Sequence, residues 1–235
     1  MSLTGRKYGS KYHLWRCRME DPASLDQAIL RAVGSPGSTI EWTYPIGPKE
    51  DEPEPEGICF LKGNTDKENI AEVLYAWQHF WPQKGKQQNW DGLARLNPST
   101  DSEEWLLFEA KANHPEFSTP PSGASTKGGR EKIEKAMKEV KDYLKVHRFF
   151  PWLGTYYQHA NRLATLYFLT HHGIPARLVE IFFMGDTFPD STPCPRSVDD
   201  WRSLIRARAL TLGIPERHAL SDRVHEVFIQ IERLE

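Results

Sequence analysis

Cysteine is scarce in this chain. The three that occur, Cys17, Cys59 and Cys194, are scattered along 235 residues and form no Cys-x-x-Cys pair. An odd, dispersed set argues against a disulfide framework or a cysteine zinc site. It fits a reducing compartment, so a cytoplasmic location is expected. Long apolar runs are lacking as well. The longest, residues 163–175, is too short for a bilayer and ends in polar residues, so no membrane partner is expected. The first residues lack the basic–apolar–small order of a signal peptide. Neither charge sign dominates: 30 Lys and Arg face 32 Asp and Glu, a formal net charge of −2. That excludes a global basic field, and a nucleic acid partner would have to be held by local patches. There is no internal repeat, P-loop, nucleophile elbow or His-Glu-x-x-His. His147, His159, His171 and His172 match no tight zinc-ligand spacing.

Composition is that of an ordinary globular protein, 39% apolar and 26% charged. Apolar residues recur at helical spacing in residues 22–33, 66–81, 130–146, 153–173 and 198–213. Thr65 and Glu68 fit a capping box ahead of the second of these. Strands are expected over 39–46, 89–96, 103–112, 176–186 and 225–232. The order predicts an α/β fold: a central mixed β-sheet flanked by helices on both faces. The acidic, proline-rich stretch 47–57 reads as a surface loop. It suggests residues 1–62 as a helix/strand extension packed on a core of residues 63–235. Residues 113–129 are too rich in Pro, Gly and Ser for regular structure, and a loop that long is commonly functional.

The segment EEWLLFEAKAN (103–113) carries the strongest signal. Alternation along a strand puts Trp105, Leu107, Glu109 and Lys111 on one face, and Leu106, Phe108 and Ala110 on the other. Both faces are apolar until the end, as in a central strand covered on both sides. A charge there must be paired, hydrated or bound to a metal. A second acidic-x-Lys triplet, Glu139-Val140-Lys141, falls in a helix and reads as a solvated face. Asp91, in the preceding strand, distinguishes the first. Hairpin neighbours place Asp91 and Glu109 within reach of one cation, an oxygen-rich site suited to Mg²⁺ or Mn²⁺. Such an ion activates water and stabilises charge on a phosphodiester, with Lys111 positioned to orient that water.

A lone Asp followed by a hydrophobic strand ending in Glu-x-Lys, between helices, resembles the PD-(D/E)XK nuclease superfamily. Its restriction-endonuclease-like core runs helix, three strands, helix, strand. The resemblance covers roughly residues 65 to 185 in element order. It implies that Asp91, Glu109 and the Ala110 carbonyl bind Mg²⁺ and that Lys111 positions the attacking water. It also implies an acidic ligand from the first helix, for which Glu72 is the candidate, and a Gln after the Lys strand, matched by Gln158. Arg162 and Thr165 lie on the same helix face as Gln158, as part of the site, as a satisfied buried network or as a solvent edge.

The expected partner is then DNA, contacted by Lys127 and Arg130 in the Gly-rich segment before a helix, and by Arg162. Arg202, Arg206 and Arg208 offer a second contact surface. A homodimer would suit cutting of both strands. The alternatives are a catalytically inactive nuclease-fold scaffold and a metal-dependent hydrolase of a small phosphorylated substrate. Trp90 stands where the superfamily often has proline. The eight residues between the 66–81 helix and Trp90 are short for a separate first strand, so either the 89–96 strand is continuous with it or residues 39–46 contribute it.

Overall fold

The computed structural model describes residues 8–45, 53–63, 69–85, 87–98, 100, 102–125, 129–187 and 192–231. Five strands form one mixed sheet in the order β1-β2-β3-β4-β5. They are β1 (Ile40–Tyr44), β2 (Gly92–Leu96), β3 (Glu104–Lys111), β4 (Ala176–Met184) and β5 (Val224–Gln230). The first two pairings are antiparallel and the last two parallel. Helices α1 (Ser10–Glu20), α2 (Pro22–Ala32), α3 (Ile70–Phe80), α4 (His114–Phe117), α5 (Arg130–Leu144), α6 (Tyr157–His171) and α7 (Val198–Leu212) complete the α/β fold.

The sheet is covered on both faces because its middle strands are apolar on both. All of β3 beyond Glu104 is buried, as is nearly all of β4. On one face Leu93, Leu107 and Leu178 pack with Trp77 of α3, Val140 of α5 and Leu163 of α6. On the other, Leu106, Phe108, Ile181 and Phe183 pack with Leu14 of α1 and with Leu25 and Ile29 of α2. Residues 8–45 thus supply both the edge strand and one helical layer. The first strand of the sheet precedes α3, so α3 is inserted between β1 and β2. This is why so few residues separate that helix from Trp90.

Four details differ from the pattern read in the sequence. The segment 113–129, read as irregular, opens with the short helix α4, capped by Asn113, whose side chain accepts from the Glu116 N–H. Helix α1 carries no apolar stripe. Its buried residues are Ser10, His13, Leu14 and Arg16, and His13 Nε2 lies 2.8 Å from Asp186 Oδ1. Strand β2 starts at Gly92, not Asn89, because Trp90 N–H donates to the Pro55 carbonyl at 3.0 Å. Gly92 is required there, since a Cβ would come within 3.0 Å of Trp42 and 3.2 Å of Phe108, whose rings stack at 4.6 Å. Lys141 is buried rather than solvated. Its ammonium donates to the Phe150 carbonyl at 2.6 Å and the Arg148 carbonyl at 3.2 Å. The Thr65–Glu68 capping box lies outside the described residues.

Gly213 ends α7 in the left-handed region at φ +64, and a Cβ there would sit 2.2 Å from the Phe150 ring. Gly213→Ala is therefore expected to destabilise the fold by about 2 kcal/mol, from backbone strain plus the clash. Urea denaturation measures it. Among the described residues, no helix is long and apolar enough to cross a membrane.

Candidate active site

The C-terminal end of β3 and the residues entering β2 meet at one edge of the α3/α5/α6 face. Antiparallel pairing of Gly92 with Phe108 brings Asp91 alongside that end. The Asp91 N–H donates to the Phe108 carbonyl at 3.2 Å, and its Oδ2 accepts the Ala110 N–H at 2.8 Å. Alternation along β3 aims Glu109 and Lys111 at α6, as the sequence implies. Lys111 Nζ lies 2.5 Å from Glu109 Oε1 and donates to Gln158 Oε1 at 2.8 Å. The structure therefore brings Asp91, Glu109, Ala110, Lys111 and Gln158 together.

Arg162, one turn beyond Gln158, completes the cluster in a way the sequence did not reveal. It is 2% exposed, and its Nε donates to Glu109 Oε2 at 2.6 Å. It also donates to Asn161 Oδ1 at 3.0 Å and to the Asn89 carbonyl. Its guanidinium lies over the Trp90 ring at 4.7 Å. So placed, it is the counter-ion of Glu109 rather than a surface contact. Thr165 joins the polar stripe through Gln88, at 2.5 Å.

The electrostatics separate the two carboxylates. Burial alone would raise Glu109, but Arg162 and Lys111 outweigh it and hold the carboxyl below its ordinary value. Asp91 is raised to about 7, first by burial and next by the negative charge of Glu109. The mutual repulsion of these carboxylates is what a divalent cation would relieve, and both are hard oxygen donors. In donor type, Asp91 and Glu109 suit Mg²⁺ or Mn²⁺. Among the described residues no three His, Cys, Asp or Glu side chains group as a metal site, so further ligands would come from the main chain or water.

A cavity of about 310 Å³ opens onto the cluster, lined by Glu54, Asn89, Asp91, Gln158, Asn161 and Arg162 among others. Glu54, from the acidic loop, pairs with Lys11 at 2.9 Å and accepts from Asn89 Nδ2 at 2.7 Å. Nothing in a Pro- and Glu-rich loop singles it out. Glu72 does not join the cluster: it is exposed on α3, whose buried side is Ile70, Val73 and Trp77. Arg130 heads α5 and pairs with Glu134 at 2.8 Å on the solvent side. Lys127 lies outside the described residues.

A second buried charge network abuts the first. Glu180 sits across from Glu109 in the parallel β3/β4 register. It receives a bidentate pair from Arg208 at 2.7 and 2.6 Å, and His159 Nδ1 lies 3.0 Å away. Burial would raise Glu180, but Arg208 and His159 hold it far below the usual carboxylate range. His159 is lowered by burial and by Arg208. Arg208 is thus an internal counter-ion and not part of a contact surface. The signal that could have found this network is a glutamate in the middle of an otherwise apolar strand, LVEIFF. No family model, curated protein or solved structure matches the chain.

Proposed function

We propose that this protein is a metal-dependent nuclease hydrolysing phosphodiester bonds of DNA, built on a restriction-endonuclease-like core. The observation that carries the reading is the Lys111 ammonium, held between Glu109 and Gln158 beside an Asp91 carboxyl anchored on the next main-chain N–H. Element order supports it once α3, inserted between β1 and β2, and the short α4 are set aside: α2, then β1 to β3, then α5 and α6, then β4 give a helix, three strands, helices and a strand.

Asp91 and Glu109 would hold Mg²⁺ or Mn²⁺, with the Ala110 carbonyl as a further oxygen donor. When bound, such an ion supplies Lewis acidity toward the phosphate and toward a coordinated water. The chain's own residues do the rest. Lys111 uses two donors on Glu109 and Gln158 and keeps a third for a water or a phosphate oxygen. Gln158 fixes the direction of that ammonium, and Arg162 keeps Glu109 ionised and oriented. The test is cleavage of plasmid and oligonucleotide DNA with Mg²⁺ or Mn²⁺. Lys111→Ala is expected to lower the rate at least a hundredfold, the usual effect of removing a positioned electrostatic or proton-transfer group. Undiminished cleavage would overturn the assignment.

One observation favours the second reading, an inactive binding module of the same fold. Both Glu109 oxygens already face cations, Arg162 and Lys111. Calorimetric titration with Mn²⁺ separates the two: heat that disappears in Asp91→Asn supports the nuclease, and no heat with the unmodified chain supports the module.

A further inference from the structure

The two edges of the sheet are built differently. Strand β1 is five residues long, its register with β2 breaks between Trp42 and Tyr44, and Pro45 follows it. Its exposed Glu41 pairs with Arg95. A short strand, a bulge, a proline and charge are devices that keep an edge from pairing with another chain. Strand β5 runs seven residues in unbroken register with β4, and its sequence, Val-His-Glu-Val-Phe-Ile-Gln, holds no Pro, Lys or Arg.

One bond fixes the direction of its main-chain groups. The Ile231 N–H donates to the Met184 carbonyl of β4 at 3.0 Å. Because these groups alternate along a strand, those of His225, Val227 and Ile229 face β4 as well. Those of Val224, Glu226, Phe228 and Gln230 face outward. Among the described residues, nothing bonds the outward N–H and carbonyl groups of Glu226 and Phe228.

The side chains of the same four residues share the α7 face of the sheet. Phe228 packs there against Phe182 and Trp201, and Arg202 of α7 lies over its ring at 6.0 Å. Glu226 is exposed and has no ion pair among the described residues. Its neighbour across the β4/β5 register is another carboxylate, Glu180, whose oxygens are held by Arg208. Arg202 has a weak partner in Asp199, at 4.0 Å and largely in solvent.

We infer that β5 pairs antiparallel with β5 of a second copy of this chain, about a two-fold axis at Val227, and so continues the sheet. That register engages all four outward residues: Glu226 opposite Phe228, and Val224 opposite Gln230, in both directions. Opposed side chains on one face lie about 5 Å apart. Glu226 of each copy thus stands beside the Phe228 ring of the other, within reach of the Arg202 lying on that ring. Two reciprocal ion pairs then close over the joint, and each supplies what Glu226 and Arg202 lack within one chain. On the opposite face Val227 meets its own counterpart, and Ile229 meets His225. Glu109 on β3 is two strands in from this edge, so the pairing leaves the active-site cluster open and stands apart from the nuclease reading.

Sedimentation velocity of the full chain, from about 1 to about 100 µM, tests it. At the upper end even a pair with a Kd of about 10 µM is mostly assembled. The expected result is a reversible species of twice the chain mass, with hydrogen exchange in residues 224–230 slowing as concentration rises. Glu226→Pro removes an outward N–H without touching the β4 ladder, the kind of position where a strand admits proline, and should leave a monomer. Glu226→Arg and Arg202→Glu each set like charges against one another, and each should weaken association roughly tenfold or more. Combined in one chain they restore opposite signs across the joint and should restore association. Both positions are exposed, so this set serves if the proline variant unfolds.

A monomer throughout that range overturns the inference. So does a dimer whose affinity neither single charge reversal alters, since it would join through another surface. Neither outcome bears on the cleavage assigned to Lys111.

Discussion

Arg162→Met should lower folding stability by about 3 kcal/mol, at the lower end of the cost of stranding one partner of a buried ion pair. For a chain of this size that is a fall in Tm on the order of 10 °C. Glu109 is 2% exposed. Without Arg162 it keeps only Lys111 as a counter-ion and loses the hydrogen bond at 2.6 Å. Burial then raises its carboxyl instead of being outweighed. The double variant Glu109→Gln/Arg162→Met removes both charges together and should recover most of the loss, because the desolvation cost of both ions disappears with them. Lys111→Met should behave differently. Arg162 still neutralises Glu109, so stability should change by about 1 kcal/mol, while the cleavage rate collapses. A thermal-unfolding cycle over these variants, set beside their cleavage rates, separates the group that holds the site from the group that acts in it. If Arg162→Met unfolds at the parental temperature, the guanidinium is not the support of Glu109.

That division of labour was only half legible in the amino-acid order. Strand β3 could be read because a run apolar on both faces admits one placement, in the middle of a covered sheet. Parity along it then fixes Glu109 and Lys111 on one side. Gln158 and Arg162 could be read as a polar stripe on an apolar helix. The partner of that stripe was not readable, because pairing across 53 residues between Arg162 and Glu109 leaves no local trace. Helix α1 was missed for a related reason. Its inward side is built of Ser10, His13 and Arg16 around Leu14, so the periodicity that marks a buried helix is absent. Both failures fall where polar groups are buried and satisfied by distant residues. The resemblance to nucleases placed the acidic helix residue on α3. Once β1 precedes that helix in the sheet, α3 is an insertion, and its exposed Glu72 faces away from the cluster.

Asp91→Asn is expected to abolish metal-dependent cleavage and, above neutral pH, to make the protein more stable. Asp91 in the native state is raised from 3.8 to about 7. An acid whose folded pKa lies above its unfolded one stabilises the native state in full below the unfolded value. That contribution is lost as pH rises through the folded value. The unmodified chain therefore carries a cost that grows between about pH 4 and pH 7 and persists above it. The difference between variant and parent isolates Asp91 from the lowered histidines His159, His218 and His225, which titrate in both proteins and act in the opposite direction. The full shift corresponds to roughly 4 kcal/mol. Because the Asp91 side chain is partly open to solvent, a gain of about 2 kcal/mol at pH 8 is the reasonable expectation. Asparagine keeps an oxygen for the Ala110 N–H, so the main-chain anchor survives. Adding Mn²⁺ reverses the ranking. A cation between the carboxylates favours ionised Asp91, and binding to the native state alone raises the unfolding temperature of the parent. The variant, with one carboxylate gone, should show little or no such rise. Thermal unfolding at pH 5 and pH 8, with and without Mn²⁺, reads all four states. A variant that unfolds below its parent at pH 8 without metal would show that the buried Asp91 charge, with the repulsion of Glu109 added to it, is not the strain stored at this site.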